Sequence, residues 1–155
     1  MQRRYNTQLY KDKISLIKQR IPDACIGVDV IVGSPGETEA YFKESMEFIH
    51  ALDISYLHVF TYSERAATKA LDIKPVVPIS IRQERNKILR NLSYQKEQYF
   101  KAQHIGSNRK VLFESIKQKD PNEVALLEGY TDNYIRITTP YRAAWSNQIV
   151  DWTIA

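Results

Sequence analysis

Residues 24–38 read Ala24-Cys25-Ile26-Gly27-Val28-Asp29-Val30-Ile31-Val32-Gly33-Ser34-Pro35-Gly36-Glu37-Thr38. The first nine are a near-continuous apolar run rich in β-branched side chains, the composition of a strand buried on both faces of a parallel sheet. Gly33 to Gly36 is then a loop, and Glu37 and Thr38 open a helix carrying Tyr41, Phe42, Phe48, Ile49 and Leu52 inward. A second run of the same kind, Tyr56 to Tyr62, follows. Upstream, Thr7 to Ile21 has Leu9, Ile14, Ile17 and Ile21 at mixed three- and four-residue spacing, a helix that Pro22 ends. Helix, strand, glycine loop, helix, strand is the grammar of an α/β sheet. Two parallel strands leave open edges, so this part reads as a piece of something larger, and those edges invite dimerisation.

Residues 63–79, with Pro75 and Pro78, read as a loop or lid. Ser80 and Gln83 are spaced as a capping box, and the helix they open runs to about His104 with Ile81, Ile88, Leu89, Leu92, Tyr99 and Phe100 as its apolar positions. Gly106 is the stop signal. Beyond it, residues 109–114, 124–127, 134–138 and 148–154 are short alternating segments, separated by Asp120-Pro121-Asn122, Gly129, Asp132-Asn133 and Pro140. That pattern predicts a small antiparallel β-barrel. The domains are therefore set at residues 1–105 and 106–155.

Composition narrows the function classes. No apolar run in the 155 residues approaches a bilayer span, and the basic N-terminus has no apolar stretch behind it, so a cytoplasmic location is the default. Cys25 is the single cysteine, which excludes an internal disulfide and any all-cysteine metal or cluster site; set in an apolar run, it reads as an inert thiol. His50, His58 and His104 match no metal-ligand spacing, and His58 reads as a core or lumen side chain. The net charge of +4 is uneven: residues 1–79 hold ten basic and ten acidic side chains, so the whole excess lies in residues 80–155. A polyanion contact, if there is one, belongs to that half; the plain alternative is a solvated helix face.

The loop Gly33 to Thr38 follows one strand and precedes a helix, which puts it at the carboxyl edge of the sheet, where α/β folds bind ligands. Its glycines let backbone amides approach a ligand, and the helix start offers free N–H donors.

Four motifs then stand in order: Met1-Gln2-Arg3-Arg4-Tyr5, Asp29 to Thr38, Tyr62-Ser63-Glu64-Arg65-Ala66-Ala67-Thr68, and Gly129 to Ile137. Together they resemble the radical-SAM tRNA methylthiotransferase family: the first three its barrel's second half, the last the TRAM module that follows. Leu57 to Ser63 is most similar to the branch acting on threonylcarbamoyladenosine in tRNA, the alternatives being the isopentenyladenosine and ribosomal-protein branches. The sequence departs at Ser34, where the family has phenylalanine, and at Ala67, where it has glycine; a Cβ at 67 is costly if that backbone needs positive φ.

The resemblance implies a partial (β/α) barrel followed by an OB-like TRAM β-barrel. It also implies methylthiolation at carbon 2 of the modified adenosine beside the anticodon, with S-adenosylmethionine, two 4Fe-4S clusters and tRNA as partner. It leaves the sulfur donor open. The implied S-adenosylmethionine residues are Gly33, Pro35, Gly36, Glu37 and Arg4, with Arg3 beside it. Tyr62, Ser63, Arg65 and Thr68 are implied near the substrate. Arg109, Lys110, Tyr134, Arg136 and Arg142 are implied at RNA, while Trp145 and Trp152 read as core. No catalytic residue or metal ligand is expected in this chain, because the three-cysteine loop would lie upstream of Met1. Alone it is expected to be inactive. The competing reading is a non-catalytic RNA-binding module.

Overall fold

Asn6 caps the first helix: its Oδ1 accepts the Leu9 amide at 2.9 Å, and α1 runs Thr7–Arg20. The computed structural model describes residues 6–117 and 124–155, so the Met1–Tyr5 motif, with Arg3 and Arg4, and the Asp120-Pro121-Asn122 turn lie outside the described residues. The chain divides into two compact units, Met1–Tyr99 and Phe100–Ala155.

In the first unit, β1 (Gly27–Val32) and β2 (Tyr56–Thr61) pair in parallel, from Gly27 against Tyr56 to Val32 against Thr61. Between them runs α2 (Glu39–Ala51). It starts later than the sequence suggests, because Thr38 is the cap, its Oγ1 accepting the Tyr41 amide at 3.2 Å, and Glu37 is left in the loop. Val28, Val30 and Val32 and, from β2, Leu57 and Val59 face a core that includes Ile14, Phe42, Ile49, Leu52, Leu89 and Leu92. Asp29, Ile31, His58 and Phe60 face the other way and are exposed. The strands are thus buried on one face rather than both, and His58 is not a core residue. An apolar strand reads the same whichever part of a protein is to cover its second face. Tyr41 is also exposed, not inward.

The long helix α3 (Ile79–Ala102) starts one residue before the expected capping box; Arg82 N–H already donates to Pro78 O at 3.0 Å, so Ser80 sits inside the first turn. Its buried face is Arg82, Arg85, Leu89, Leu92 and Phe100, while Ile88 and Tyr99 point to solvent. Polar side chains on α3 also occupy the free edge of β2. Ser93 Oγ accepts Leu57 N–H at 2.8 Å and donates to Leu57 O at 3.0 Å, and Asn86 Nδ2 donates to Val59 O at 3.3 Å. Groups taken this way cannot template another strand. Of the two edges expected from sequence to be open, that of β2 therefore has Leu57 N–H, Leu57 O and Val59 O taken by α3.

The second unit is a four-stranded antiparallel sheet, order β5-β4-β3-β6, built of β3 (Asn108–Lys117), β4 (Leu126–Thr131), β5 (Arg136–Pro140) and β6 (Ile149–Thr153). The expected closed barrel is not formed: among the described residues β5 and β6 are edges that do not pair. The segment joining them instead carries Trp145, which stacks on fully buried Phe113 with ring centroids 6.0 Å apart, and Trp152 meets the same ring edge-on at 5.7 Å. One face of the sheet is thus filled by aromatic packing rather than by closure. Below it, Thr131 Oγ1 donates to Asn133 Oδ1 at 2.7 Å and accepts Ile135 N–H at 2.8 Å, and Asn133 Nδ2 lies 3.1 Å from buried His104 Nε2.

Gly129 is not in a turn as its composition suggested but inside β4, opposite Phe113, where a Cβ would lie 2.2 Å from Leu112 O. Gly129→Ala is expected to destabilise the protein by about 2–3 kcal/mol, the scale of a forced overpacking, measured by urea denaturation.

Candidate functional site

The carboxyl ends of β1 and β2 are followed by the loops 33–38 and 62–68, and both are tied to α3 by buried arginines. Arg82 and Arg85 are 4% and 5% exposed. Guanidinium groups tolerate such burial only when paired and hydrogen-bonded. Arg82 Nε donates to Val77 O at 2.7 Å, one terminal nitrogen donates to Tyr62 O at 3.1 Å, and the other meets the Glu64 carboxylate. Arg85 donates to the Glu37 carboxylate at 2.7 Å, to Glu37 O at 3.1 Å and to Glu39 Oε2 at 3.0 Å, with its guanidinium 5.0 Å from the Phe42 ring centroid. Glu37 turns back to accept the Gly33 amide at 3.1 and 3.0 Å.

Glycine is required at both ends of the first loop. Gly33 and Gly36 have φ of +77° and +83°, and a Cβ on Gly33 would lie 2.3 Å from Arg82 Cγ. The Gly36 amide donates to Pro75 O at 2.8 Å and the Glu37 amide to Ser34 O at 3.0 Å. The amides of Gly33, Gly36 and Glu37 are therefore engaged inside the protein, which corrects the expectation that they are offered to a ligand. Pro35 is half-buried in the same loop.

In the second loop Tyr62 is half-buried, its carbonyl held by Arg82, whereas Ser63, Arg65 and Thr68 are exposed and Thr68 Oγ1 donates to Arg65 O at 2.9 Å. Ala67 has a φ of 60°, the left-handed conformation in which its Cβ is strained. The hydrogen bond from Arg82 holds the Glu64 carboxyl below its ordinary range. Because the folded value is depressed, that contribution to stability is present at neutral pH and is lost as pH falls through it.

In the second unit the structure gathers only some of the anticipated residues. Lys110 and Tyr134 line a cleft of about 390 Å³ together with Leu112, Tyr130 and Ile149. The Tyr130 and Tyr134 rings are 5.4 Å apart, and Arg136 pairs across from Tyr130 in the sheet. Arg109 lies 3.6 Å from Asp132, and Arg142 covers the Trp145 ring at 4.3 Å; neither lines the cleft. Tyr130 was missed in the sequence, as were Arg82 and Arg85, which were counted among solvated charges. Arg82, Arg85, Leu89 and Leu92 recur at three- and four-residue spacing, and that shared phase was the available signal.

Half-buried Cys25 is the one thiol, its pKa raised chiefly by burial, and among the described residues no group of three histidine, cysteine or acidic side chains is placed to hold a metal. The donor set does not fit an iron–sulfur cluster. No described helix is long and apolar enough to cross a membrane.

Over most of its length the chain is homologous to the tRNA methylthiotransferases. It is 40% identical over 139 residues to the threonylcarbamoyladenosine tRNA methylthiotransferase MtaB of Aquifex aeolicus, covering 88% of this chain and 31% of that protein. The MtaB of Bacillus subtilis is 34% identical over 137 residues, 88% of this chain and 30% of the relative. The tRNA-2-methylthio-N(6)-dimethylallyladenosine synthase of Pseudomonas aeruginosa strain UCBPP-PA14 is 32% identical over 133 residues, 86% and 29%. The chain thus spans about a third of the length of these relatives. No protein-family model matches it.

Arg85→Met strips the half-buried Glu37 carboxylate of its cation and is expected to cost about 3 kcal/mol in urea denaturation. Lys87→Met, on the exposed face of the same helix, should stay within about 0.5 kcal/mol.

Proposed function

We propose that this chain is part of a tRNA methylthiotransferase that modifies threonylcarbamoyladenosine beside the anticodon. In this reading the first unit is the later portion of a radical-SAM barrel and the second a TRAM-like RNA-binding module. The observation that carries it is the parallel pair itself. Among the described residues one face of the sheet is uncovered, one edge is free at β1 and the other is met by α3, in a chain matching 29–31% of the relatives' length. A sheet with one open face and one open edge is built to receive more of the same fold. The threonylcarbamoyladenosine branch is favoured by the identities of 40% and 34% to its members against 32% to the dimethylallyladenosine enzyme.

Within such an enzyme S-adenosylmethionine supplies the methyl group and the hydrogen-abstracting radical, and the cluster thiolates come from outside this chain. Gly33, Pro35, Gly36 and Glu37 form one rim of that site as a rigid loop rather than as amide donors. Ile31 and Phe60 give the uncovered sheet face an apolar wall, and Asp29 and His58 stand between them as its polar groups. Tyr62, Ser63, Arg65 and Thr68 border the substrate on the second loop. Lys110 and Tyr134, with Tyr130, meet RNA at the tail cleft, and Arg136 does so from beside Tyr130 on the neighbouring strand; exposed rings stack on unpaired bases and cations neutralise phosphate.

The direct test joins this chain to the upstream two thirds of the Aquifex aeolicus relative in a strain lacking the modification. Mass spectrometry of digested tRNA should find methylthiolated threonylcarbamoyladenosine. A soluble, cluster-loaded chimera that leaves this nucleoside unmodified, or modifies only the dimethylallyl derivative, contradicts the assignment.

A further inference from the structure

We propose that His104 is a positioning residue of the tail cleft: through Asn133 it fixes the turn that presents Tyr134 to RNA. This rests on the RNA reading of that cleft given above. The two rings of the cleft have different supports. Tyr130 stands within β4, paired with Leu112 on one side and Arg136 on the other. Tyr134 stands on the turn between β4 and β5, its ring 5.4 Å from that of Tyr130. A two-ring platform for a base therefore depends on how that turn is held.

From Thr131 onward the chain alternates. Thr131, Asn133 and Ile135 are buried, whereas Asp132 and Tyr134 are exposed and line the cleft. Tyr134 has a φ of 67°, a left-handed conformation that a tyrosine keeps only when its surroundings impose it. Those surroundings are hydrogen bonds on the buried side. Tyr134 N–H donates to Thr131 O at 3.0 Å, and Thr131 Oγ1 links Ile135 N–H to the Asn133 side chain. Asn133 then reaches beyond the turn to His104, with 3.1 Å between Nδ2 and Nε2. The pairing holds for either orientation of the amide, since a ring nitrogen accepts from Nδ2 or a ring N–H donates to Oδ1. His104 is itself fixed: it is 6% exposed, lies edge-on to the Phe100 ring at 4.8 Å, and its carbonyl accepts the Ser107 N–H and hydroxyl at 3.0 and 2.6 Å. On its other side Arg109 lies 3.5 Å from Nδ1 and 3.6 Å from Asp132, a second tie to the same turn. An imidazole is costly to bury unless its nitrogens are met, and here the partner that meets one of them is the anchor of the cleft turn.

The test pairs hydrogen exchange by NMR with fluorescence anisotropy, using the whole chain and a labelled anticodon stem–loop RNA at low salt. His104→Leu removes the partner of Asn133. Exchange at the Tyr134 and Ile135 amides should then quicken by roughly tenfold or more, the scale of one lost hydrogen bond, while the Phe113 amide of β3 stays protected. RNA binding by the same variant should weaken roughly tenfold, the scale of one lost stacking ring. His104→Gln keeps a side-chain amide for Asn133 and should stay closer to wild type in both readouts. Tyr134→Ala should weaken binding as much, and His104→Leu with Tyr134→Ala no more than Tyr134→Ala alone, because His104 acts through that ring. Thermal melting should show every variant folded. Turn exchange and RNA affinity unchanged in His104→Leu reduce His104 to core packing and refute the proposal. A double variant whose losses multiply refutes it too, since His104 then acts by another route. Wild-type protein that binds no RNA at low salt overturns the RNA reading of the cleft, and this proposal with it, whatever the exchange shows.

Discussion

Two guanidinium groups, buried on a helix whose composition suggests a solvated face, hold the site end of the first unit in place. Arg82 fixes the loop after β2 through the carbonyl of Tyr62 and the carboxylate of Glu64; Arg85 fixes the loop after β1 through Glu37. Each loop thereby depends on the same helix and on the other's anchor. The stem of Arg82 passes so close to Gly33 that only a residue without a Cβ fits there. Burying charge costs several kcal/mol per ion unless it is matched, and here each arginine meets at least one carboxylate and one carbonyl. Their fixed geometry holds a short glycine loop whose own amides are already engaged.

The parts legible in sequence were those set by local chemistry. The two apolar runs are β1 and β2, Pro22 follows the first helix, Gly106 with φ +81° stands in the turn four residues past the last residue of α3, Ala102, and Trp145 and Trp152 pack on Phe113. What escaped was decided by tertiary partners. An apolar strand does not record how many of its faces its own chain covers, so β1 and β2 read as doubly buried. Charge does not record burial, so Arg82 and Arg85 read as surface cations although they share the phase of Leu89 and Leu92. Gly129 read as a turn because a glycine forced by a close backbone approach looks the same as one forced by positive φ. The tail's alternating segments gave its strands, but nothing local says whether β5 and β6 meet, and they do not.

The same helix gives the first unit its asymmetry. Among the described residues Ser93 and Asn86 meet the edge of β2 while β1 keeps a free edge, and the uncovered face carries Ile31 and Phe60 beside Asp29 and His58. Exposed apolar side chains on a sheet face are costly in water. They make sense when that face belongs inside a larger assembly, which agrees with a chain matching about a third of its relatives' length. The arginines nearest the site loops, Arg82 and Arg85, spend their charge on the fold.

The tethering of the glycine loop is read most directly by hydrogen exchange at the Gly33 amide, followed by NMR in the wild type and in Glu37→Ala. The account predicts that this amide is protected in the wild type and exchanges at the rate of an open loop in the variant, while β1 amides such as Val30 stay protected in both. A Gly33 amide that already exchanges freely in the wild type would contradict it.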